Sequence, residues 1–191
     1  MQDFLQASQE GEGTLDELTS SEHPILAFMI ALRDCPVPVV AAVSGPAIGI
    51  GATSLLHCDL VYADESARLQ MPFVPLGLTP EFGASYLMPR RFGMAKAKEW
   101  LLLGRVFRAE EAAAMGMVNH VVGESFLHDE ALGAALTLAA MPQQALVQTK
   151  SLLGDTESAA LQQAMMRELE LFTQRLQSEE FQQACRAFFE R

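Results

Sequence analysis

An α/β layer followed by a helical extension is the fold class this sequence predicts, and three observations predict it. β-branched apolar runs alternate with helical patterns over the first two thirds of the chain. A glycine-rich turn links one such run to a helix. After about residue 124 only helical spacing remains, with Leu161, Met165, Leu169, Phe172 and Leu176 recurring every three or four residues.

Taken in order, residues 1–23 are polar and rich in Gly, Ser and Glu, and read as a helical turn and a loop. Pro24 opens a helix over 24–34, since proline is tolerated at the first helical position. Pro36 and Pro38 stop it, and Val37–Val43 reads as a strand buried on both faces. Ser44–Gly51 is a glycine-rich turn, Ala52–His57 a short helix, and Leu60–Ala63 a second strand. Arg68–Met71 is a third strand. Pro72–Pro89 carries four prolines and two glycines, and reads as a long ordered loop with at most one helical segment. Helices over 94–103 and Ala109–Met115 follow, the second ended by Gly116, and Val118–Val122 is the last strand. The expected division is an α/β core over 1–124 and a helical region over 125–191.

The 191 residues carry 13 Lys+Arg against 24 Asp+Glu, a net charge of −11 with histidine neutral. That balance argues against nucleic acid and anionic membrane surfaces as partners. Half the residues are apolar (50%) and 19% are charged, which suits a chain that buries a real core. Cys35, Cys58 and Cys185 are widely spaced and form no CxxC pair, so neither a metal site nor a disulfide framework is expected, and a cytoplasmic setting is.

Two stretches could carry chemistry. Ser44-Gly45-Pro46-Ala47-Ile48-Gly49-Ile50-Gly51 lies between a buried strand and a helix start, where backbone N–H groups point outward. It is not a phosphate-binding P-loop, which needs a lysine, and none occurs before Gly93. Gly49-Ile50-Gly51-Ala52-Thr53-Ser54 nearly spells a dinucleotide fingerprint, but the helix before Asp59 is too short for that crossover. An oxyanion hole and a simple tight turn both remain. The second stretch is Leu76-Gly77-Leu78-Thr79-Pro80-Glu81-Phe82-Gly83, one carboxylate in an apolar, proline-stiffened loop. Glu81 is either a buried base or a helix N-terminal residue facing water.

Together, Pro38–Gly51, His57–Ala63, Pro72–Glu81 and Ala109–Asn119 resemble the crotonase, or enoyl-CoA hydratase/isomerase, superfamily. The resemblance implies a crotonase-like spiral ββα core with C-terminal helices that build homotrimers or hexamers. It also implies acyl-CoA thioester substrates and no separate cofactor, coenzyme A being part of the substrate. Ile50 then supplies one oxyanion N–H, with Gly49 and Gly51 allowing close approach. Thr53 and Phe73 stand where related hydratases keep two glutamates, and Glu81 stands where peroxisomal-type Δ3,Δ2-enoyl-CoA isomerases keep their single base. Phe73 and Leu78 are expected to wall the acyl pocket. The family's second oxyanion donor belongs to a turn that this chain reads as lacking, together with the first strands. The alternatives are another crotonase-family reaction, or an impaired oligomerising fragment. His57 reads as a hydrogen-bonded structural histidine and Asp59 as a local cap or ion-pair partner. Arg90, Arg91 and Lys150 are surface residues or phosphate contacts.

Overall fold

Two three-stranded sheets carry the core, and the chain visits both on each pass. The computed structural model describes residues 23–155 and 158–189. The expectation for residues 1–22 lies outside them. Helix α1 (Pro24–Arg33) starts where proline predicts, and its first turn is capped by His23, whose Nδ1 accepts from the Ile25 N–H at 3.3 Å. Strand β1 (Val40–Val43) passes into β2 (Pro46–Ile48), followed by helix α2 (Ile50–Thr53) and a 3₁₀ turn at Ser54–His57. The next pass is β3 (Leu60–Asp64) into β4 (Arg68–Gln70). After a 3₁₀ turn at Val74–Leu76 come α3 (Ala84–Phe92), α4 (Met94–Leu103), β5 (Phe107–Arg108), α5 (Ala109–Ala114) and β6 (His120–Val122). The chain closes with α6 (Leu127–Ala139), α7 (Gln143–Asp155), α8 (Ser158–Leu176) and α9 (Glu179–Phe189).

One sheet has the order β1-β3-β6, all parallel, with Val40 opposite Leu60 and Tyr62 opposite His120. The other has the order β2-β4-β5, in which β2 and β4 are parallel and β5 is antiparallel. Each pass therefore lays one strand in each sheet; the first turns at Gly45 (φ +68°), the second at Glu65–Ala67, and the third runs through α5. This is the expected spiral ββα arrangement. At the second turn, Asp64 Oδ1 accepts from the Ser66 N–H at 2.8 Å and from its hydroxyl at 2.5 Å.

Four elements differ from the sequence expectation. The Ser44–Gly51 turn contains β2, a strand of three residues whose first is a proline, the position where a ladder tolerates a missing N–H. The strand expected from Val37 begins at Val40, because the Val39 N–H donates instead to Asp59 Oδ2 at 2.7 Å. Phe107–Arg108, to which the sequence reading assigns no element, forms β5 because it pairs antiparallel with β4, while the one helical segment expected within Pro72–Pro89 is α3, with Pro89 inside it at the loss of one backbone hydrogen bond. The last strand starts at His120, since the Asn119 side chain takes over as acceptor for the Val61 N–H at 2.7 Å.

Between the sheets and α3–α5 lies the main core, centred on Trp100 with Leu69, Met71, Leu87 and Phe107. A smaller cluster of Leu176, Phe181 and Cys185 fixes α8 and α9 beneath the Val74–Leu76 turn. Gly77 makes that approach possible. Its φ is +71°, and a Cβ there would lie 2.8 Å from the Phe181 backbone nitrogen and 3.0 Å from the Glu180 carbonyl carbon. Backbone cannot yield as a side-chain tip can. Gly77→Ala is therefore expected to destabilise the fold by about 2–3 kcal/mol, read as a lower urea midpoint.

Candidate active site

Glu81 stands at the centre of the site because three elements converge on its loop. The loop turns sharply after it. Phe82 has φ +56° and Gly83 φ +74°, two consecutive left-handed residues that send the chain into α3. A left-handed conformation costs an ordinary residue about 1–2 kcal/mol, so Phe82 must be held. It is 2% exposed, stacks on His57 with ring centroids 3.8 Å apart, and meets Phe28 edge-on at 6.4 Å. His57 Nε2–H donates to the Phe82 carbonyl at 2.7 Å. Burial drops the His57 pKa to about 4, so the ring is neutral and structural.

From α2, the fully buried Thr53 donates its hydroxyl to Glu81 Oε1 at 3.2 Å. From α8, Glu168 is 5% exposed, and its two oxygens accept from the Gly83 N–H at 2.6 Å and the Ser85 N–H at 2.8 Å. Burial pushes the Glu81 carboxyl up to about 7, the Glu168 charge adds to the rise, and the Thr53 hydrogen bond opposes both. Replacing Thr53 by Val keeps the shape and removes that donor to the ionised form. Glu81 is then expected to titrate higher by about one pH unit or more, read from its side-chain carboxyl ¹³C shift.

Beside Glu81 opens a cavity of about 320 Å³ between α1 and α8. Ile25, Leu26, Met29 and Ile30 line one wall and Met165, Met166, Leu169 and Phe172 the other, with Arg33, His23, Gln162 and Thr173 among its polar groups. Glu81 is the one carboxylate among the described residues that line it. Phe73 and Leu78 do not. Phe73 is 4% exposed in the main core, and Leu78 is half-buried between the two core clusters. The apolar walls of this cavity come instead from α1 and α8.

Ile50 is the first residue of α2, one turn before Thr53, and its N–H meets no acceptor among the described residues. Gly49 precedes it at φ +58°, and a Cβ added at Gly49 or Gly51 would meet nothing within 4 Å, so the turn is open on that side. Of the residues singled out from the sequence, Gly49 precedes α2, Ile50 and Gly51 open it, and Thr53 of that helix brings Glu81 against it. Sequence reasoning missed Thr53 as a partner of Glu81, and Glu168 altogether. The remaining charged candidates are engaged elsewhere. Lys150 donates to Asp59 Oδ2 at 2.6 Å and to the Val37 carbonyl at 2.8 Å, while Arg90 stacks on the Tyr86 ring at 3.5 Å. Arg91 donates to the Leu56 carbonyl.

The chain matches the family model described as "Enoyl-CoA hydratase/isomerase" over residues 2–191. It is 37% identical over 180 residues to the Rattus norvegicus protein named "Enoyl-CoA delta isomerase 2", covering 94% of this chain and 46% of that one. It is 33% identical over 190 residues to a Rhodobacter capsulatus protein named "Probable enoyl-CoA hydratase", covering 100% and 73%. The structure of Pseudomonas aeruginosa OdaA superposes with a TM-score of 0.88 at 43% identity, covering 93% of this chain and 74% of that one. The chain spans about half the length of the rat relative.

Proposed function

Because the chain belongs to the enoyl-CoA hydratase/isomerase family, we propose that it moves a double bond from position 3 to position 2 of an enoyl-CoA, with Glu81 as the single acid and base. The observation that supports this most directly is one carboxylate, raised to a pKa of about 7, on the wall of an apolar cavity. A group of that pKa is half ionised near neutrality, so it can take a proton and return it. Glu81 removes a proton from C2 of the 3-enoyl thioester. Electron density passes to the thioester oxygen, the double bond moves to C2–C3, and Glu81 delivers the proton at C4. The Ile50 N–H, at the head of α2, faces the charge that develops on the oxygen.

Hydration needs a second carboxylate to handle the added water. At the two positions where related hydratases keep glutamates, this chain has Thr53, bonded to Glu81, and Phe73, packed in the core. Glu168 is spent on two backbone N–H groups and does not line the cavity. Both placements favour proton transfer over water addition. The cavity between α1 and α8 takes the acyl chain, and the CoA moiety lies toward the open glycine turn.

The deciding experiment supplies a 3-enoyl-CoA and follows the absorbance of the conjugated 2-enoyl thioester. Separate chromatography of the products would reveal any 3-hydroxyacyl-CoA. Conjugated product without hydroxyacyl product is the expected result, and hydroxyacyl-CoA as the main product would overturn it. A homotrimer or hexamer and a cytoplasmic setting belong to the same proposal. Leu136, Leu152 and Leu153, 61%, 71% and 77% exposed on α6 and α7, offer apolar surface for assembly, and the three cysteines are free. Sedimentation velocity is expected to give a mass of three chains or more. No described helix is long and apolar enough to cross a membrane.

A further inference from the structure

Glu168 lies on α8, 85 residues beyond the loop it holds, yet it is one of three buried polar or charged side chains among the described residues. Helix α3 has no side-chain cap from its own sequence and no acidic residue in its first turn. Its leading N–H groups therefore need an acceptor from elsewhere, and a buried carboxylate needs donors in return. Glu168 and α3 answer each other: one oxygen takes the Gly83 N–H at 2.6 Å, the other the Ser85 N–H at 2.8 Å. Those donors follow Glu81 by two and four residues, across the left-handed pair at Phe82 and Gly83. The same helix sends Met165 and Leu169 into the cavity wall.

We propose that Glu168 is the positioning residue for Glu81, clamping the loop from the C-terminal helix so that the base faces the cavity. This rests on Glu81 being the base. A carboxylate fits the role because it satisfies two diverging N–H groups at once. A Gln carbonyl accepts one, and its amide N–H₂ opposes the other. Glu168 also sets the field at Glu81. The other charged or titratable groups near the cavity are Arg33 of α1, paired to Asp34 at 2.6 Å, His23 ahead of α1, and neutral His57 beneath Phe82.

The test titrates Glu81 directly by carboxyl ¹³C NMR, its signal identified by loss in Glu81→Gln, in the wild type and in Glu168→Gln. Glu168→Gln is expected to move the Glu81 titration to lower pH, through loss of the neighbouring negative charge and a looser loop. It is expected to lower kcat about 10- to 100-fold with KM within about twofold, since a misplaced base loses rate before binding. Glu168→Asp, which keeps the charge, is measured beside it and carries the test alone should Glu168→Gln fail to fold. One methylene shorter, it is expected to hold the Glu81 titration near its wild-type value while kcat still falls. A Glu81 titration and a kcat both unmoved in Glu168→Gln overturn the proposal. With Glu168→Asp as the only folded variant, an unmoved kcat does the same. A shifted titration in a protein that isomerises nothing leaves the coupling standing and removes the isomerase reading alone.

Discussion

Glu81→Gln is expected to lower the rate of 3-enoyl to 2-enoyl conversion by about 10²–10⁴-fold, the range a positioned acid–base group supplies. The neutral amide keeps the volume and can still accept from Thr53, so KM for the thioester is expected to change little. In the wild type, kcat/KM is expected to rise with pH through about 7 and level off above it, because the ionised carboxylate is the form that takes the proton. The variant's residual rate is expected to lack that limb. The same substitution has an opposite effect on stability. A carboxyl whose pKa rises on folding stabilises the folded state at low pH, and that contribution is lost as pH climbs from the ordinary value of 4.5 through about 7. Each pH unit between the two values is worth about 1.4 kcal/mol. Glu81→Gln is therefore expected to be far slower and, above pH 7, more stable than the wild type by urea unfolding. A loss of stability at pH 8 would contradict the burial of this carboxylate.

Trp100→Ala is expected to cost about 3–5 kcal/mol, the range for removing a large aromatic from a core. Trp100 is fully buried, stacks on Phe107 with centroids 4.1 Å apart, and meets Phe92 edge-on at 5.5 Å. Its indole N–H also donates to Glu111 Oε1 at 3.2 Å, in a cluster where Arg105 and Lys96 hold the Glu111 carboxyl down at about 2. Deletion thus opens a void and removes one donor from that cluster. Against a total stability of about 5–15 kcal/mol, this is enough to leave the protein partly unfolded at 37 °C. Far-UV circular dichroism against temperature reads it directly. Trp100→Phe, which keeps the stacking, is expected to cost less than half as much.

Much of the fold was legible because its signals are local. The helix over 94–103 needs only an apolar face, a preceding Gly93 and a following Gly104, and the structure ends it where those residues do. Strand β3 declares itself in a run of apolar residues. Strand β2 does not, since three residues opening on proline become a strand only when Arg68–Gln70 arrives to pair with them. Glu81 stood out as a lone carboxylate in apolar, proline-stiffened sequence. Glu168 had no such contrast. A glutamate in Arg167-Glu168-Leu169-Glu170 reads as one of several charges facing water, and only docking of α8 against α3 buries it. The one available hint was indirect: a helix opening on Gly-Ala-Ser, with nothing of its own to cap it. Phe73 was misleading in the same way, because its exposure depends on which side of the 3₁₀ turn the core lies.

The surroundings of the Glu81 carboxyl are thus assembled from three distant parts of the chain, Thr53, Glu81 and Glu168, separated by 28 residues and then by about three times as many. Domains fold as synthesis proceeds, at about 5–20 residues per second. The α/β passes that carry Thr53 and Glu81 are complete long before α8 leaves the ribosome. On the proposed isomerase reading, competence is a late property of the nascent chain, reached by the docking of a helix and not by closure of the sheets. A ribosome-bound chain halted before residue 158 would hold its strands together while lacking one wall of the cavity and the carboxylate that clamps the Glu81 loop.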